Sequence, residues 1–243
     1  MAEILKVMNV TKTFGGLTAV NNVSFSVREG ETLGLMGPNG AGKTTLVNMI
    51  CGSYAIDSGE IEFMGKDIRK LAPHQRCKLG ISRTYQIPRP FPELTALNSV
   101  VVSALCGKDR HDMALDDAAT EATHYLEFVG LFAKRNILAH DLTLYELRGL
   151  ELARALATSP KLLFVDEVMA GLNPVEAENA VGLIQRAKEE FGITVLWIEH
   201  VMAVLMRAAE RIIVLHYGEK IAEGPPEEVA NDPAVIESYL GAG

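Results

Sequence analysis

The sequence predicts an α/β protein with a parallel central sheet, an N-terminal antiparallel β portion and an inserted helical lobe. Three observations carry that prediction. β-like alternation fills the first sixty-odd residues. Short, almost wholly apolar runs, TLGLM (32–36), LLFVD (162–166) and ITVLWI (193–198), alternate with helical stretches, as strands covered on both faces do. Between Pro88 and Gly149 the strand pattern gives way to apolar residues at helical spacing.

VSFSV (23–27) alternates after the turn-forming Asn21-Asn22, and Glu29-Gly30 marks the next turn before TLGLM. GEIEFMGKDI repeats the alternation, with Ile61 and Phe63 on one face and Gly65 in the turn. IPRPFPELT is a proline-broken loop, and LNSVVVSALCG and ATHYLEFVGLFAK read as helices of the inserted lobe. LLFVD then resumes the β/α alternation: a helix over NPVEAENAVGLIQRAKEEFG, the strand ITVLWIE, a further helix, the strand RIIVLH and a turn at YGEK. The expected organisation is one domain over 1–243, with 1–87 and 150–243 forming the α/β core and 88–149 the helical subdomain.

Composition narrows the classes of function. The 243 residues are 48% apolar and 22% charged, ordinary for a globular chain, and the net charge of −8 disfavours a general nucleic-acid binder, which needs a basic face. Cys51, Cys77 and Cys106 lie far apart, so neither a metal knuckle nor a disulfide framework is expected. The N-terminus lacks the pattern of a secretion signal, and no apolar run approaches the ~18 residues of a membrane span.

GPNGAGKTT (37–45) fits G-x-x-x-x-G-K-[ST] in its required setting, a buried strand before and an amphipathic stretch after. Glycines let backbone N–H groups curl around phosphate oxygens, and a helix N-terminus adds partial positive charge. Lys43 is expected to reach the β- and γ-phosphates, and Thr44 to offer its hydroxyl to Mg²⁺. Gly37, Asn39, Gly40, Ala41, Gly42 and Thr45 complete the expected nucleotide contacts. LLFVDE supplies the metal side: Asp166 ends an apolar strand where a carboxylate can face Mg²⁺, and Glu167 can orient or deprotonate an attacking water. His200 ends ITVLWIE; a lone histidine there is more often structural, though strand ends of a parallel sheet gather around a ligand crevice. Gln86, in RTYQIP, reads by itself as a polar loop residue.

Together these residues resemble the ATP-binding subunits of ABC transporters, P-loop NTPases, along essentially the whole chain. GPNGAGKTT resembles the Walker A motif and LLFVDE the Walker B motif with its catalytic glutamate. The resemblance makes Gln86 the Q-loop glutamine that contacts Mg²⁺, AGLNP (170–174) the D-loop and His200 the switch histidine. It also makes Phe14 the aromatic that stacks on adenine, where the residue alone reads as a core aromatic. GISRTYQIPRPFPELTALNSV, EVMAGLNP and IAEGPPEEVANDPAVIESYLG are similar to the subfamily that powers uptake of branched-chain and other hydrophobic amino acids. That implies an ATP- and Mg²⁺-dependent ATPase, peripheral on the cytoplasmic side of the inner membrane. Two integral-membrane permease subunits and an external solute-binding protein are its implied partners. A lipid or lipopolysaccharide exporter ATPase is the nearest alternative. A soluble ABC ATPase outside transport, or a subunit that closes without much hydrolysis, ranks lower.

One stretch departs from the family. The signature, L-A-Y-G-E-Q-R-R-L-E-I-A-R-A in this subfamily, is here LTLYELRGLELARA, with Tyr145 in place of a glycine. In ABC dimers this segment, Thr143, Leu144, Tyr145 and Glu146, faces the γ-phosphate bound by the other chain, and a tyrosine there can crowd the approach. Thr143-x-x-Glu146 is nonetheless a capping box, so the helix should start well. The resemblance and this departure together favour a heterodimer with a second ABC ATPase chain.

Overall fold

The computed structural model describes residues 2–107 and 113–240. In chain order the elements are β1 (Glu3–Phe14), β2 (Leu17–Arg28), β3 (Thr32–Met36), α1 (Lys43–Cys51), β4 (Ser58–Phe63), β5 (Lys66–Asp67), α2 (Pro73–Leu79), β6 (Ile81–Arg83) and α3 (Ala96–Cys106). There follow α4 (Leu115–Phe128), α5 (Leu144–Ala157), β7 (Leu162–Asp166), α6 (Pro174–Phe191), β8 (Thr194–Ile198), α7 (Met202–Ala208), β9 (Arg211–His216), β10 (Glu219–Gly224), α8 (Pro226–Ala230) and α9 (Pro233–Leu240). They divide into two compact units, Met1–Arg76 with Thr194–Gly243, and Cys77–Ile193.

The first unit holds the antiparallel sheet β2-β1-β4-β5. Alternation places Val23, Phe25 and Val27 of β2 and Ile61 and Phe63 of β4 in the core, as the sequence pattern predicts. β3 pairs in parallel with β8 and β9, and β10 returns antiparallel to β9. Every residue of β3 and β8 is buried, which is why both read as continuous apolar runs. The sequence pattern gives no signal for α2, because its buried residue is Arg76 rather than an apolar stripe. The Arg76 guanidinium donates to the Met49 and Ile50 carbonyls at 2.6 and 2.7 Å, in the last turn of α1.

In the second unit β6 and β7 pair in parallel, aligning Arg83 with Phe164. α3, α4 and α5 pack around a core rich in small residues, among them Ala96, Ala104, Ala118, Ala122, Ala153 and Ala157. Such residues let helix axes approach closely. α6 starts as its sequence requires: the Asn173 side chain accepts the Val175 and Glu176 amides, Pro174 takes the first turn, and Gly192 ends the helix in the left-handed conformation. No helix among the described residues is long and apolar enough to cross a membrane.

One buried group in this unit works against the fold. Glu151 of α5 lines a cavity of about 340 Å³ with Arg83, Tyr85, Arg89, Phe91 and Arg154. Burial pushes its carboxyl up from 4.5 to about 7, and the Tyr85 and Arg89 amides with the Arg148 and Arg154 charges offset that only in part. Neither carboxylate oxygen reaches a donor in hydrogen-bonding geometry. Below pH 4.5 folded and unfolded chains both hold the proton. As pH rises toward 7 the unfolded chain releases it first, so the group's contribution to stability is lost across that window. Glu151→Gln should therefore change stability little near pH 4.5 and raise it by about 2–3 kcal/mol at pH 8 relative to wild type, measured by urea unfolding at both pH values.

Candidate functional site

In the first unit the glycine loop joins β3 to α1. Two of its glycines are fixed by their neighbours. Gly37 has φ 147° and Gly42 φ 98°. A Cβ at Gly37 would lie 2.1 Å from the Leu215 carbonyl oxygen, and one at Gly42 would lie 2.4 Å from that of Ala19. Gly42 precedes α1 without any side-chain cap, so the first-turn amides of α1 are not claimed by a capping side chain. Lys43 is buried, its ammonium donating to the Gly37 and Pro38 carbonyls at 2.7 and 3.0 Å, which folds it back over the loop. The parallel register pairs Leu35 of β3 with Ile198 of β8. Both strands therefore end at one edge, where the loop departs from one and His200 follows the other. His200 is exposed; its Nδ1 lies 3.8 Å from the Glu199 carboxylate, and Glu199 is fully buried.

Phe14 is not the core aromatic that its residue type suggests. It ends β1 at a hairpin, is 43% exposed, and meets Tyr54 edge-on at 5.3 Å. Sequence reading passes over Tyr54, and nothing in its local pattern marks it.

The second unit gathers the acidic groups. Asp166 ends β7, with one oxygen 3.0 Å from the Arg83 guanidinium and its backbone N–H donating to the Thr84 hydroxyl at 3.2 Å. Glu167 follows in the left-handed region at φ 42°, a conformation that is strained for a residue with this side chain. Gln86 Nε2 donates to Glu167 Oε2 at 2.6 Å, so the residue that reads as a polar loop position is joined to the expected base across 81 positions of sequence. Arg148 of α5 braces this segment by donating to the Tyr85 and Gln86 carbonyls at 2.8 and 2.6 Å.

α5 carries the divergent segment. Its capping box is complete: the Thr143 hydroxyl accepts the Glu146 amide, and the Glu146 carboxylate accepts the Thr143 amide. Lys134 pairs with Glu146 and holds its carboxyl below the ordinary range. Leu144 is the exposed residue of the first turn, at 41%, whereas Tyr145 is half-buried. Tyr145 lines an apolar cavity of about 130 Å³ with Val129, Leu131, Leu152 and Ile184. The first unit thus contains Phe14, the loop from Gly37 to Thr45 and His200; the second contains Gln86, Asp166, Glu167 and the segment 143–146.

Comparisons with known proteins bear on the family. Residues 20–170 match the ABC transporter family model, and residues 219–243 match that of the branched-chain amino acid ATP-binding cassette transporter. The chain is 37% identical to the high-affinity branched-chain amino acid transport ATP-binding protein BraF of Pseudomonas aeruginosa, and 38% identical to LivG of Salmonella typhimurium, with 98% of each chain covered in both cases. Among solved structures it resembles the ADP conformation of MJ1267, an ATP-binding cassette of an ABC transporter, with TM-score 0.89 and 33% identity over 99% of this chain and 100% of that one. The glycine loop, the acidic strand end and a match over the whole length lead to one conclusion: the chain belongs to the ABC transporter family, as an ATP-hydrolysing subunit of its branched-chain amino acid group.

Proposed function

We propose that this subunit energises uptake of branched-chain or similar hydrophobic amino acids, working beneath two membrane permease subunits that an external binding protein supplies with solute. The observation that carries the solute class is similarity over 98% of the chain to subunits named for that transport. The same reading puts the chain at the cytoplasmic face of the membrane, and Phe91, 39% exposed under the Arg154 guanidinium, becomes a contact for a permease helix.

In the proposed reaction the loop amides and Lys43 hold the β- and γ-phosphates of ATP, and Phe14 stacks on adenine. Glu167 takes a proton from the attacking water, held by Gln86 in the meantime, and His200 contacts the γ-phosphate. The Thr44 hydroxyl, the Gln86 amide oxygen and the Asp166 carboxylate are hard oxygen donors of the kind that suits Mg²⁺. When bound, that ion neutralises charge building on the phosphates. Lys43→Ala removes a charged phosphate contact and should weaken ATP binding at least tenfold. Glu167→Gln keeps the shape without the base, so ATP should bind normally while turnover falls by a factor of 100 or more. Fluorescent-nucleotide titration beside phosphate release separates the two; equal loss of binding in both variants would contradict the roles.

Tyr145 supports an asymmetric partnership. If each ATP is held between the phosphate loop of one chain and the signature of another, self-pairing would place two Tyr145 segments against two nucleotides. Pairing with a related ATPase that has a glycine signature would leave one fully equipped site, built on this chain's Lys43, Asp166, Glu167 and His200. The purified chain should hydrolyse ATP slowly alone and at least tenfold faster with that partner. Tyr145→Gly should raise the slow rate modestly, scored per folded chain because glycine inside a helix costs about 1 kcal/mol. Brisk hydrolysis by the single chain, indifferent to Tyr145→Gly, would remove the basis for asymmetry.

A further inference from the structure

Arg83 ends β6 with its guanidinium enclosed between two groups. On one side Nη2 donates to Asp166 Oδ2 at 3.0 Å, in an ion pair whose side chains are only 9% and 5% exposed. On the other the guanidinium lies 4.5 Å from the centre of the Tyr85 ring. The next residue, Thr84, accepts the Asp166 backbone amide on its hydroxyl. Successive residues of β6 and its exit thus hold the end of β7 at both its main chain and its side chain.

A guanidinium paired with a buried carboxylate limits how far that carboxylate can turn. We propose that Arg83 is a positioning residue for Mg²⁺, pairing with the Asp166 carboxylate so that it is held in one orientation, with the Tyr85 ring against the guanidinium. Partners of this sort, one bond removed from a metal, orient the ligands and change metal affinity when lost. The inference rests on the reading of Asp166 as the carboxylate that serves Mg²⁺. Its reach extends further, because the Tyr85 ring also carries Arg89 at 4.8 Å, and Tyr85, Arg89, Phe91 and Arg154 line the 340 Å³ cavity with Arg83 itself. The Tyr85 ring thus lies between that cavity and the guanidinium that pairs with Asp166.

The test uses Arg83→Gln, Arg83→Lys and Tyr85→Leu in the full chain, with Asp166→Asn as the reference. Fluorescent ADP affinity is measured in EDTA and across a Mg²⁺ titration, and phosphate release in the assembled transporter is measured over the same Mg²⁺ range. For Arg83→Gln, affinity in EDTA should stay within about twofold of wild type, while the Mg²⁺ concentration for half effect rises about 10–100-fold and saturating Mg²⁺ restores turnover. Arg83→Lys, which keeps the charge without the planar fork, should show a smaller shift, and Tyr85→Leu a shift in the same direction. If Arg83→Gln fails to fold, those two variants decide. A Mg²⁺ curve that moves in Asp166→Asn but in neither Arg83 variant would overturn the positioning role. A curve unmoved by Asp166→Asn would instead overturn the underlying reading of Asp166. Affinity in EDTA falling in step with the Mg²⁺ effect would mark Arg83 as merely structural and also overturn the proposal.

Discussion

Binding phosphate with bare backbone requires a stretch of chain that no side chain obstructs, and the first unit is organised around that constraint. Gly37 is pressed by the Leu215 carbonyl at the end of β9, and Gly42 by the Ala19 carbonyl of β2. The β9–β10 turn closes the triangle: the Gly218 amide donates to Ala41 and the Gly218 carbonyl accepts from Asn21, at 3.0 and 2.8 Å. An element from the antiparallel sheet and one from the parallel sheet therefore meet on the same loop. At the far end of α1, Arg76 donates to the Met49 and Ile50 carbonyls. The helix that presents its N-terminus to phosphate is thus fixed at both ends, and its amides point where they do before any ligand arrives.

What the sequence discloses follows from the range of the interactions concerned. The glycine loop, the apolar strands and the Thr143–Glu146 capping box are set by residues within a few positions of one another, so their patterns are visible in a single pass. Ile61 and Phe63 alternate with less buried neighbours because only one face of β4 is covered. By contrast, Arg83 meets Asp166 across 83 positions and Gln86 meets Glu167 across 81. No local rule selects those partners, and Gln86 by itself looks like any polar loop residue. Glu151 is the sharper case: a glutamate in a helix reads as a solvated face until α5 is seen to bury it. Phe14 shows the reverse error, since an aromatic in a β stretch suggests a core and the hairpin end leaves it exposed.

The divergent segment shows how a strong helix start can compete with ligand binding. The amide of Glu146 already donates to the Thr143 hydroxyl at 3.3 Å, and Lys134 neutralises the Glu146 carboxylate. A phosphate arriving there would have to displace a cap that is worth about 1 kcal/mol to the helix. α1, by contrast, is preceded by a left-handed glycine and has no capping side chain. The two helix N-termini look alike in outline and differ in what already occupies them.

The left-handed backbone at Glu167 has a consequence for how variants of this chain should be judged. A residue held in that region stores strain of the order of 1 kcal/mol or more, sustained by the surrounding fold. Replacing it with a residue content in that geometry would relax the chain while removing the base. A catalytically dead form can then be the sturdier one. Yield and heat resistance, the usual signs of a healthy preparation, would rank such a protein above the one that works.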